Sequence, residues 1–196
     1  MPELSIYPVL LLIHVLSAIV LMGSTLHAPL ARGLVLRARL AADLGVAIAL
    51  SRRAVKWNPL AALILLATGI YLGSWGWWSQ AWFYVAIAAW IVSTVLAVAV
   101  LQRAEEAIAA LAGQAGDGPI TAELDAMRRS RKWGLAHAAM LANDLAILCI
   151  MFVKPPLAGS IGLLIVANTL LVSAVLMRQR AAPPSAAKER TPVVST

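Results

Sequence analysis

Charge is what this sequence has least of. Asp, Glu, Lys and Arg make up 13% of its 196 residues, against about 25% in soluble domains. The hydrophobic set reaches 61% and the mean hydropathy is +0.83. That imbalance excludes a soluble single domain and a disordered chain. Cysteine is nearly missing too. Cys149 stands alone inside an apolar run, so an internal disulfide is impossible and a Cys-based zinc site lacks ligands. The sequence reads Cys149 as a small buried hydrophobe. The long apolar runs do not alternate, which excludes an outer-membrane barrel. There is no nucleotide-binding glycine loop, no assembled Ser-His-Asp set and no carboxylate cluster for a di-metal hydrolase. No base precedes the first apolar run, so the positive region of a secretory signal is missing and that run reads as a retained span.

What is present predicts an all-α, polytopic membrane helical bundle of five transmembrane helices, each needing ~20 apolar residues. The apolar stretches are 6–30, 59–73, 82–101, 134–153 and 158–177. Asn58 is the expected N-cap of the second, with Pro59 in its first turn. Lys154-Pro155-Pro156 should stop the fourth. Residues 34–55 are expected to lie along the inner leaflet or to extend the spans. The third span should continue through 102–112 and break at 113–119, with Thr121 capping the helix that leads into span four. The expected division is a transmembrane domain over 1–178 and a disordered cytoplasmic tail over 179–196, rich in Ala, Pro, Ser and Thr. No internal repeat is visible, which fits carriers badly.

Fifteen of the sixteen basic residues fall in alternate connections and the tail; Lys154 is the exception. The positive-inside rule then places the N-terminus outside and the C-terminus in the cytoplasm of a bacterial inner membrane. The +7 net charge is assigned to this topology, and no nucleic-acid partner is expected. The lipid bilayer is, with a homo-oligomer or a respiratory-chain component as further partners. Trp75, Trp77 and Trp78, in the outer loop of the first hairpin, suit an interfacial belt.

The informative residues are polar ones at membrane depth. All three histidines, His14, His27 and His137, fall in or at the ends of spans, and Asp144 lies in span four. His137, Asp144 and Met151 are spaced by seven and so share a stripe, each ~20° from the last. Asn143 is less well placed on that face. His14 and His27 are ~19.5 Å apart along one helix, which resembles the two-haem helices of quinol-oxidising cytochromes b. Three histidines exclude two bis-histidine haems. By depth, His27 and His137 could clamp one haem b or one metal ion. His14 lies near the depth of Met151, an axial pair known for haem and suited to copper. Met22 is a second sulfur for copper. Asp144 is expected as a hydrogen-bonding partner of His14. The bland reading is that all of these residues only pack. Gly69 and Gly73 form a small-xxx-small motif for helix packing.

Three motifs in order carry a resemblance. These are His14-Val15-Leu16-Ser17-Ala18-Ile19-Val20 with Gly23, then Leu66-Ala67-Thr68-Gly69-Ile70-Tyr71-Leu72, then Met151-Phe152-Val153-Lys154-Pro155. Over residues 5–156 they resemble a bacterial family of predicted integral membrane proteins of unknown function. The opening is also similar to copper-resistance D proteins and membrane-type protoporphyrinogen oxidases. That likeness implies haem b or copper in a small helical bundle, with His14 as a ligand. Lys154-Pro155 is similar to the oxidases' basic residue near a span end. The chain lacks their longer Arg/Tyr/His pattern after span one. The expectation is a haem b protein of the cytoplasmic membrane serving electron transfer or haem handling, with ligands from His14, His27 and His137. Copper uptake or resistance, and a non-catalytic accessory subunit, stand as alternatives.

Overall fold

Apolar runs this long leave their backbone polar groups nothing to bond but each other, and helix results throughout. A computed structural model describes residues 6–181, with side chains through residue 177. The helices are α1 (Ile6–Arg37), α2 (Ala41–Ala54), α3 (Asn58–Gly73) and α4 (Ala81–Leu96). A π-helical turn follows (Ala97–Gln102), then α5 (Arg103–Ala115), α6 (Ala122–Arg128), α7 (Arg131–Val153) and α8 (Leu157–Ala181). Among the described residues there is no strand, only an isolated bridge between Leu40 and Pro119. Helix α8 thus runs beyond residue 178, and the rest of the expected tail, 182–196, lies outside the described residues.

Five helical stretches are long and apolar enough to cross a membrane: Ile6–Arg37, Ala41–Gly73, Ala81–Ala115, Ala122–Val153 and Leu157–Met177. The third has 35 residues, about 52 Å of helix, against a hydrocarbon core of about 30 Å. The surplus lies on the side where the basic residues gather. There the end of α1, α2, α5, α6 and the start of α7 pack together around Val35, Leu44, Ile48, Ile108, Leu124 and Trp133. Residues 34–55 therefore extend the spans and fold onto one another. Two contacts close this layer. Ala41 N–H donates to the Gly118 carbonyl at 3.0 Å. Buried Arg128 donates from Nη1 to the Val35 and Ala38 carbonyls, both at 2.9 Å. It thereby caps the C-terminal end of α1.

Within the membrane region α7 is central. It packs on α8, α4 and α1, while α1 runs along α3. Gly134, Ala138, Ala142, Ala146 and Ile150 are all buried on α7. Their four-residue spacing makes one ridge of mostly small side chains that lets neighbouring backbones close in. Cys149 falls off this ridge and is exposed, because the outer surface of a bundle in lipid is as apolar as its interior. Thr121 caps α6, accepting from Leu124 N–H at 3.2 Å, as the sequence suggests. Asn58 does not cap α3: Trp57 holds that position, and the Asn58 amide oxygen accepts from Ser24 at 2.8 Å.

Opposite the basic layer, Trp77, Trp78, Trp82, Phe83 and Tyr84 form a connected set of ring contacts, and Tyr7 pairs separately with Trp75, with centroids 5.3–6.3 Å apart. Lys154 ends α7 in the left-handed region, at φ 51° and ψ 52°. Its ammonium lies 4.7 Å from the Trp77 ring and 5.7 Å from the Trp82 ring.

Candidate functional site

His14 is placed by α1 against α3. Its Nδ1 lies 3.1 Å from the Leu65 carbonyl and 3.0 Å from Thr68 Oγ1. A carbonyl only accepts, and Thr68 already donates to the Ile64 carbonyl at 2.6 Å. The proton of the ring is therefore on Nδ1, and Nε2 carries the lone pair. Gly69 makes the seat. A Cβ there would stand 3.1 Å from His14 Cε1. Gly73, the other half of the motif, does the same for Phe83, whose Cζ would be 2.6 Å from an added Cβ. Gly69 and Gly73 thus admit an imidazole and a phenyl ring.

His137 is buried in α7. Its Nδ1 donates to the Trp133 carbonyl at 2.9 Å, and its ring meets the Trp133 ring edge-on at 5.1 Å. The Arg32 guanidinium lies over the same Trp133 ring at 5.4 Å. His27 is half-buried, with its Nδ1 enclosed and without a hydrogen-bond partner.

Asp144 anchors the most extensive polar cluster in the bundle. Oδ2 accepts from Thr25 on α1 at 2.7 Å and Oδ1 from Ser93 on α4 at 2.5 Å. The neighbouring Asn143 Nδ2 donates to Ser93 Oγ at 2.9 Å and to the Ala89 carbonyl at 2.6 Å. Asn143 is buried, better placed than the stripe of sevens suggests, because α4 packs on that edge of α7.

These contacts correct several expected pairings. The Thr25–Asp144 bond aligns α1 and α7. On that alignment His14 is about 16 Å along the axis from Asp144, so Asp144 does not serve His14. His137 stands level with Arg32, about 7.5 Å from the level of His27. Thr25 is the α1 residue turned to α7, and His27, two positions on, lies about 200° round the helix. The helices are neighbours as the His27–His137 pair requires, yet no contact joins the two rings. Met151 packs against the Trp82, Phe83, Ala86 and Ile150 cluster with Leu163 and Leu164, whereas the contacts of His14 go to α3.

Sequence reasoning passed over Thr25, Thr68 and Ser93. Each is a buried hydroxyl in an apolar run, and the available signal was depth: a span carboxylate or imidazole needs partners at its own level. Among the described residues no group of three or more His, Cys, Asp or Glu side chains could hold a metal ion.

Comparison with curated proteins and with solved structures returns no match. The family model described as "Predicted integral membrane protein (DUF2269)" matches residues 8–155, so the chain belongs to that family of predicted integral membrane proteins.

Proposed function

We propose that the protein resides in the bacterial cytoplasmic membrane, basic side inward, and binds haem b through His14 Nε2. One observation carries this reading. The His14 imidazole is fixed on α3 by its Nδ1–H, at the Leu65 carbonyl and Thr68 Oγ1, and rests against Gly69. A metal-ligating histidine is oriented in this way, the second ring nitrogen tied to an acceptor and the first left basic. Bound haem would supply one-electron chemistry, for electron transfer to a respiratory partner or for haem handling. The chain's own part is to hold the imidazole and exclude water. His14 is the single ligand this reading takes from one copy.

Copper is the second reading. It needs soft sulfur beside the imidazole. Met151 belongs to another cluster, and Met22 is about 12 Å further along α1. The donor set therefore favours haem.

The test is purification in mild detergent with haem supplied during expression, followed by reduced-minus-oxidised spectra and metal analysis. The expected result is a high-spin b-type signal that His14→Ala removes and His27→Ala and His137→Ala retain. Copper alone, bound through His14, would favour the second reading. A chain free of both haem and copper would leave His14 as helix packing only and end the proposal.

A further inference from the structure

Two buried hydroxyls on different helices donate to one carboxylate at membrane depth. Ser17, Thr68 and Thr94 each donate to the carbonyl four residues back, Ser24 reaches Asn58, and Ser51 donates to Glu105 in the basic-side layer. Thr25 and Ser93 instead donate to Asp144, from two different helices, and Asn143 braces Ser93 against the Ala89 carbonyl. All the groups bonded to the carboxylate are neutral, so its charge is solvated but not neutralised. Arg128 and Arg129 pair with a different carboxylate, Asp125, in the basic-side layer. A lone carboxylate at this depth is costly without a positive charge beside it.

The surrounding titratable groups are few. On α1 they are His27, turned about 200° from Thr25, Arg32, beside Trp133, and His14, on α3. On α4 there is Tyr84, whose hydroxyl donates to the Trp78 carbonyl. On α7 there are His137, two turns toward the basic side, exposed Cys149, and Arg131 and Lys132 in the first turn. The π-helical turn and the described side chains of α8 contribute none.

We propose that the Asp144 cluster is a binding site for one small monovalent cation, a proton or Na+, held between α1, α4 and α7. The hydroxyls supply the means. If the Thr25 and Ser93 O–H bonds turn onto the carbonyls of Leu21 and Ala89, four residues back, both hydroxyl oxygens become acceptors. With the two carboxylate oxygens they make a set of four oxygens and no sulfur, hard ligands suited to H+ or Na+ and unsuited to soft metals. A proton entering from water converts carboxylate to carboxylic acid at the present oxygen spacings of 2.5 and 2.7 Å. Na+ enters only if the oxygens spread. The π-helical turn begins four residues after Ser93. It gives α4 a place to shift, and π-turns recur at functional sites.

The full chain in detergent tests this, as wild type, Asp144→Asn, and Thr25→Val with Ser93→Ala. Thermal unfolding is followed by tryptophan fluorescence in NaCl and in choline chloride at matched ionic strength. Infrared difference spectra are taken across pH. Asp144→Asn retains an acceptor for Thr25 and is the neutral control. If Na+ is the ligand, the wild-type midpoint rises with Na+ and not with choline, and Asp144→Asn is flat. If a proton is the ligand, Na+ has no effect and the infrared spectrum contains a protonated-carboxyl C=O band that Asp144→Asn lacks. The double variant should raise the Na+ concentration required by tenfold or more, or displace the C=O band. Identical responses of wild type and Asp144→Asn in both measurements would overturn the proposal. Should Asp144→Asn fail to fold, an unaltered response in the double variant overturns it equally.

Discussion

Replacing Arg128 with Met should loosen the basic-side layer more than any other single polar change there. Arg128 is 5% exposed, and its guanidinium bonds to the Val35 carbonyl, the Ala38 carbonyl and Asp125. The substitution keeps most of the side-chain volume, so cavity formation is small. The Val35 carbonyl, on a residue 1% exposed, loses its partner, which costs about 1–3 kcal/mol. The Ala38 carbonyl is nearer water and adds about 0.5–1 kcal/mol. Asp125, 35% exposed and still paired with Arg129, adds at most about 1 kcal/mol after screening. The sum is about 1.5–5 kcal/mol, roughly tenfold to a few thousandfold in the local opening equilibrium at tenfold per 1.4 kcal/mol. Hydrogen exchange of the α2 and α6 amides measures it directly, since local opening is what exchange reports. Exchange in the central part of α8, which does not touch this layer, should not change. An acceleration in α2 and α6 below fivefold would mean that the carbonyl caps are replaced by water at little cost, and the argument would fail.

Other outcomes follow from single contacts. Gly73→Ala should lower stability by about 1–3 kcal/mol, because the new Cβ meets Phe83 Cζ at 2.6 Å; Gly23→Ala, with open space around it, should not, and paired melting curves compare them. Gly69→Ala should displace the His14 ring, read as a loss of any His14-dependent haem signal with smaller loss of stability. Lys154→Ala should cost about 0.5–2 kcal/mol through loss of its ring contacts, while Lys154→Gly recovers about 1 kcal/mol of that by relieving the left-handed backbone; equal melting points for the two would refute this division. Reporter fusions after Ser79 and Ser160 should read as periplasmic, and those after Gly113 and Arg180 as cytoplasmic. A cytoplasmic Ser79 would reverse the topology.

The spans were legible because hydropathy and length act on backbone satisfaction alone, independent of which helix meets which. Thr121, Lys154-Pro155 and the break at 113–119 were legible for the same local reason. Cys149 and Asn143 were misread because both faces of a membrane helix are apolar, so periodicity does not separate lipid from neighbour. The ridge from Gly134 through Ala146 would have done so, as small residues mark where backbones approach. Seven-residue spacing put His137, Asp144 and Met151 on one stripe, but His137 bonds within α7, Asp144 meets α1 and α4, and Met151 packs with α4 and α8. Each residue consequently found a different partner. The Gly69 seat shows the converse: a motif of packing type that holds a functional side chain.

The way the basic layer is knit has a consequence for how the protein is made. Helix α2 leaves the ribosome early, yet the surfaces that cover Leu44 and Ile48 come from α5, α6 and the start of α7. Until Leu124 and Trp133 have been synthesised, a nascent chain carries an uncovered apolar helix on the basic face of the membrane, with the α1 carbonyls awaiting Arg128. Arg128 stands only a few residues before the apolar part, 134–153, of the fourth span. The clasp can therefore close as that span inserts, so that the last two spans join a platform whose parts are already locked.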